Sequence, residues 1–329
     1  MNTNNNTKKT FTKIGFLMVI ATFLLNGVQI LAMTIAGSQE KIVESPTLSF
    51  LAAMVPIYII AYPLIFVFFR KVPAETFEEK KLLTFPKWLQ AFCIGYMFIF
   101  AGSMLASIFV WIIGFLKQAP VNNGLVNITT TVNPVLNFVV MCVCAPIAEE
   151  LLFRKTLMDR TLKYGEKLAV VFSAVLFGLF HGNLQQFLYT TCLGLFFAFV
   201  YAKTKNVLNT ILLHVCINIP GTIIAPYIMK KSGLMEFMSQ LSGDLSQEKM
   251  MNLMTENMSG FVLLGCYELV LFVILVLGLV FLILNRKKIT FASGNEPLEK
   301  GTAFRIAFLN IGVLLYIFLC SALIILQLM

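Results

Sequence analysis

Charge is scarce in this 329-residue sequence: Asp, Glu, Lys and Arg make up 12% of it, against 58% hydrophobic residues and a mean hydropathy of +0.85. A soluble domain carries about 25% charged and about 45–50% apolar residues, so a water-soluble globule is excluded and the bilayer is the expected solvent. Histidine is scarcer still, at two residues. The seven cysteines (Cys93, Cys142, Cys144, Cys192, Cys216, Cys266, Cys320) all fall inside apolar runs and form no paired loop pattern. That excludes a disulfide framework and leaves them as small buried hydrophobes. No internal repeat suggests an inverted-repeat transporter, and H-E-x-x-H, the usual zinc-protease signature, is missing. The first apolar run, from Ile14, is too long for a signal-peptide core and lacks a small-residue cleavage site, so it is expected to be retained.

A membrane span needs about 20 apolar residues. Nine runs approach or meet that length, at 13–36, 48–69, 88–116, 131–153, 168–182, 186–202, 206–228, 258–285 and 304–328, with the fifth and sixth the shortest. Only helices and closed barrels satisfy backbone polar groups in lipid, and these runs are long and unalternating. They predict an all-α polytopic transmembrane bundle of eight to nine spans. Residues 1–12, rich in Asn, Thr and Lys, read as a disordered cytoplasmic tail, and 13–329 as a single transmembrane domain. The net charge of +9 is a topology signal and not a nucleic-acid footprint. With the N-terminus inside, Lys8, Lys9 and Lys13 together with the alternate loops 70–87, 154–167, 203–205 and 286–305 hold 20 of the 25 Lys and Arg. That asymmetry predicts a multi-pass cell-membrane protein with a cytoplasmic N-terminus. Loop 70–87 is expected to lie as an amphipathic segment at the inner surface. The external, Met-rich loop 229–257 reads as an amphipathic lid or as a solvated connector.

Ionisable residues inside spans cost about 2.5–3.5 kcal/mol each on insertion scales, which makes them functional candidates. They are few: Glu149 and Glu150 in APIAEELLFR, His181 in FGLFHGN, His214 in LLHVCINIPG with Asn218 after it, and Glu268. Residues four apart share a helix face. Glu150 can therefore pair with Arg154, while Glu149, about 100° round the helix, stays free for chemistry. Phe177 shares a face with His181 as a packing shelf. His214 and Asn218 make a pair able to stabilise a developing oxyanion, or to join helices by hydrogen bonds. Two mechanisms fit these residues. Either Glu149 with His181 deprotonates a water that attacks a peptide carbonyl, or Glu149, His181 and His214 bind a divalent ion such as zinc with an open position for water. The cofactor is thus unknown, zinc and a metal-free glutamate mechanism being equally viable. Depth is in tension with convergence, because these boundaries put His181 about 20 Å into its span and Glu149 only about 8 Å from the Arg154 end of its own. Glu268 is expected to face the bundle interior or to line a substrate cavity.

Three motifs on separate helices, E-E-x-x-x-R at Glu149, Glu150 and Arg154, F-x-x-x-H at Phe177 and His181, and H-x-x-x-N at His214 and Asn218, resemble those of the CPBP family. These are intramembrane proteases that include the CAAX-prenyl endopeptidases and Abi-type bacteriocin-immunity proteins. The resemblance covers a catalytic core of about 130–225. It implies peptide hydrolysis within the membrane, with Glu149 activating water, His181 assisting, and His214 and Asn218 stabilising the oxyanion. Glu150, Arg154 and Phe177 would support them. The implied partners are the bilayer and a membrane-associated peptide or protein, lipidated or not, and no nucleic acid. The alternatives are a non-enzymatic membrane scaffold on the same fold, and a proton-coupled transporter relaying through Glu149, Glu150, Glu268 and the histidines.

Overall fold

The computed structural model describes residues 2–77, 80–118, 132–233, 247–299 and 301–328. The helices that build it are α1 (Asn2–Gly37), α2 (Pro46–Phe69), α3 (Phe85–Lys117), α4 (Pro134–Tyr164), α5 (Glu166–Phe180), α6 (Leu184–Thr204), α7 (Val207–Lys231), α8 (Met258–Asn285) and α9 (Ile311–Leu328). Among the described residues no strand occurs, and all of these helices except α5 are long and apolar enough to cross a membrane, eight in number. The chain is a multi-pass membrane protein. Helix starts follow from local chemistry. Pro46, Pro86 and Pro134 occupy first turns, where a missing N–H costs nothing. The side chains of Ser45, Asn133, Asn183 and Asn206 accept from backbone N–H groups of α2, α4, α6 and α7.

The fifth apolar run becomes α5, whose 15 residues span about 22 Å, short of the ~30 Å hydrocarbon core. It can be short because protein surrounds it: Phe172, Ser173, Ala174, Leu176, Phe177 and Gly178 are all buried. The chain reverses into α6 through Gly182, at φ +63°, a conformation glycine adopts without penalty. Just before the turn, Gly178 lies so near Thr191 and the Phe187 carbonyl of α6 that an added Cβ would collide with both. Gly178→Val is expected to cost about 1–3 kcal/mol by overpacking, seen as a lower thermal midpoint in detergent; an unchanged midpoint would contradict this close approach. At the other side of the bundle α1 and α9 cross at Gly15 and Gly312, each glycine facing backbone of the partner helix. The fully buried Tyr316 of α9 donates its hydroxyl to the Leu176 carbonyl of α5 at 2.9 Å.

Several expectations change. Residues 2–12 are not a disordered tail but the first turns of α1. Phe11 is the reason: it is fully buried, with its ring 5.3 Å from Tyr164 and 4.9 Å from Phe172, and one aromatic anchor outweighs the polar composition around it. The fourth span does not stop near 153 but runs to Tyr164. Residues 73–77 and 80–84 of loop 70–87 form no helix. They are instead pinned as an ordered strap, the Glu75 N–H donating to the Asp159 carbonyl at 2.7 Å and the Lys81 N–H to the Thr204 carbonyl at 2.9 Å. Of the Met-rich loop, 234–246 lies outside the described residues and Gln247–Glu256 is helical.

The basic loops gather at one end of the bundle. Lys13 donates to the Lys71 carbonyl, the Glu166 N–H to the Ala292 carbonyl at 3.1 Å, and the Glu296 N–H to the Lys163 carbonyl at 2.8 Å. The loop alternation read from Lys and Arg therefore has a physical counterpart, even though α5 is too short to count as a span by itself.

Candidate active site

Glu149 and Glu150 close a short α-helical stretch, Ala145–Glu150, set between the π-helical segments Phe138–Cys144 and Leu151–Met158 of α4. π turns are rare and concentrate at functional sites. The first one abuts Pro146, whose missing N–H interrupts the helical ladder.

The two carboxylates have different surroundings. Glu150 is fully buried; its Oε2 lies 3.1 Å from Arg154 Nε and its Oε1 accepts from His214 Nδ1 at 3.0 Å. Arg154 is equally buried, and its guanidinium stacks 4.4 Å over Phe177 and 5.5 Å from Phe197. Its two terminal nitrogens meet these aromatic faces in place of hydrogen-bond acceptors. Glu149 points elsewhere. Its side chain is 17% exposed, and it lines a cavity of about 610 Å³ together with Phe177, His181, His214 and Asn218.

Both imidazoles are held from behind. The Phe177 carbonyl sits 2.9 Å from His181 Nδ1, and a carbonyl only accepts, so Nδ1 carries the hydrogen. The same holds for His214 Nδ1 against the Glu150 carboxylate. In the neutral rings each Nε2 is then a bare lone pair. His214 Nε2 lies 3.8 Å from Glu149 Oε2. His214, and not the expected His181, is the imidazole at ion-pair distance from the free carboxylate. Asn218 spends one amide hydrogen on the Met141 carbonyl at 3.1 Å, which leaves the other.

All seven residues expected at the site come together. Glu149, Phe177, His181, His214 and Asn218 line the cavity, with Glu150 and Arg154 beneath it. The depth conflict disappears because α4 continues to Tyr164. By helix rise Phe177 is about 16 Å above Glu166 and His214 about 10 Å above Val207, so the cavity is sunk well below the basic end of the bundle.

Glu268 does not belong to this site. It is exposed on the outer side of α8 near Tyr96 and Tyr267, away from both the bundle interior and the cavity. The proton-relay alternative thereby loses its most distinctive residue. Sequence reasoning missed Phe197, whose ring lies 5.3 Å from His214, and the cavity-lining Tyr58, Tyr62, Gln186 and Tyr189. Residues of these types recur throughout the chain with no spacing to single these out. As for a metal, bare Nε2 atoms and a carboxylate are the right donor types. Yet among the described residues no three His, Cys, Asp or Glu side chains are gathered closely enough to share one ion, so the arrangement as it stands does not fit one.

Comparison with known proteins agrees with the motifs. Residues 131–220 match the family model described as type II CAAX prenyl endopeptidase Rce1-like. The "Putative membrane peptidase YdiL" of Bacillus subtilis is 28% identical over 173 residues, covering 52% of this chain and 67% of that protein. The "UPF0177 protein YvdC" of Lactococcus lactis is 26% identical over 214 residues, covering 63% of this chain and 76% of that protein. No solved structure matches. The matched segment contains every residue of the three motifs.

Proposed function

We propose that this chain is an intramembrane protease of the CPBP kind, as the match of its 131–220 segment supports, and that it hydrolyses peptide bonds of membrane-associated substrates with Glu149 as the general base. The observation that carries the proposal is the division of labour between adjacent carboxylates. Glu150 is locked by Arg154 and His214, while Glu149 faces the cavity with His214 Nε2 3.8 Å away.

The geometry suits one water donating one hydrogen to Glu149 and the other to His214 Nε2. As its oxygen attacks the scissile carbonyl, Glu149 takes the proton; the C–N bond then breaks and the proton passes to the leaving amine. A neutral imidazole whose Nδ1 carries the hydrogen has no Nε2 hydrogen to give an oxyanion, so the remaining amide hydrogen of Asn218 is the donor assigned to it. His181, tethered to Phe177, closes the cavity and offers a second acceptor to water. No step is routed through a metal. The basic end of the bundle is taken as cytoplasmic, and the site lies deep enough that water must enter the cavity for turnover.

The test uses the full-length protein reconstituted in vesicles with a library of transmembrane peptides. Wild type is expected to cleave, Asn218→Ala to be about 10²–10³-fold slower, and a chelator to leave wild type unaffected. Absence of cleavage across the library would sink the protease assignment. Activity lost to chelator and restored by zinc would overturn the metal-free route alone.

A further inference from the structure

A second cavity, of about 470 Å³, opens at the basic end between α3, α5, α6 and α8, and shares no lining residue with the catalytic one. Its walls are aliphatic and aromatic, with Val171 and Phe199 among them, and four lysines line it: Lys87, Lys167, Lys203 and Lys288. No carboxylate lines it. Glu166 stands behind Lys203 and pairs with it, and Lys288 donates to Asn285 at 2.9 Å. The ammonium groups of Lys87 and Lys167 are exposed and have no partner among the described residues.

We propose that this cavity is a binding site for an anionic phospholipid, with an acyl chain in the apolar slot and the headgroup phosphate on the lysines. Three observations choose this occupant. Lys87 lies in the first turn of α3 and Lys288 just past the end of α8, so the lysines stand where hydrocarbon gives way to headgroups. The slot is apolar, so an acyl chain moves from one hydrocarbon environment to another at little cost. The surplus of positive charge without a lining carboxylate favours a lipid of net negative charge over a zwitterionic one, whose own ammonium cancels the attraction. The lysine at the Glu166 pair fixes one wall, and the unpartnered lysines supply the selectivity.

The test reconstitutes the full chain in phosphatidylcholine vesicles carrying trace spin-labelled phosphatidylglycerol or spin-labelled phosphatidylcholine, and reads the immobilised fraction of each. Wild type should prefer phosphatidylglycerol at least about tenfold, and the preference should fall about fivefold for each of Lys87, Lys167 and Lys288 replaced by Ala. The triple Lys→Arg variant should keep it. Val171→Trp, which fills the slot and leaves every lysine in place, should lose it. Unchanged thermal unfolding midpoints in the same samples show that they are folded, and none of these residues lines the other cavity. A wild-type ratio near one overturns the proposal, as does a preference that survives Val171→Trp or the triple Lys→Ala change. Displacement of the labelled lipid by soluble glycerol phosphate, or by a prenylated peptide in preference to unlabelled phosphatidylglycerol, would overturn it too. The outcome is independent of whether the other cavity hydrolyses peptides.

Discussion

Glu149→Gln is expected to slow peptide cleavage by about 10²–10⁴-fold while leaving the thermal unfolding midpoint where it was. The amide is nearly isosteric and can still accept a hydrogen bond from water, but it cannot take up the proton that water must lose. The fold should not notice the change. The buried ionic cluster is built from Glu150, Arg154 and His214, and Glu149 contributes to it only the 3.8 Å approach to His214 Nε2. Turnover kinetics and differential scanning on the same detergent sample measure both quantities. Wild-type turnover in Glu149→Gln would remove the general base, and a large fall in midpoint would show that Glu149 is structural instead.

Arg154→Met is expected to do the reverse, costing about 3–5 kcal/mol because it strands the Glu150 carboxylate in the protein interior. Activity should disappear together with the folded state. The informative companion is Glu150→Leu with Arg154→Met. Replacing both buried charges with apolar groups is often neutral or stabilising, so the double variant should recover much of the lost midpoint. It should remain inactive, because His214 then lacks the carboxylate that fixes its tautomer and aim. Equal midpoints for wild type and the single variant would show that the pair is not desolvated as the structure has it. Full activity in the double variant would show that His214 needs no such fixing.

What the sequence disclosed about the site was the part encoded within single helices. A spacing of four places Glu150 with Arg154, Phe177 with His181 and His214 with Asn218 whatever the bundle does, and each pairing or shared face appears. Contacts between helices carried no such signal. That Glu150 bridges to a histidine 64 positions away, so that His214 and not His181 approaches Glu149, depends on how α4 and α7 are seated. Hydropathy likewise marked where apolar helices run, but not how they are covered. It could not show that protein shields α5 enough for it to stop short of a full crossing. Nor could it show that Phe11 draws a polar N-terminal segment into a packed helix, or that Glu268 faces outward from α8.

The Tyr316–Leu176 hydrogen bond and the Gly15–Gly312 crossing also say something about biosynthesis. The helix that carries Phe177 and leads to His181 is braced by a side chain made about 140 residues later, and α1 waits longer still for the surface it crosses. Insertion of the earlier spans by the translocon therefore leaves α5 without this brace. The last helix must leave the ribosome and dock laterally before α5 has its full set of neighbours. A chain assembled in this order reaches its final packing only after the whole sequence has been made.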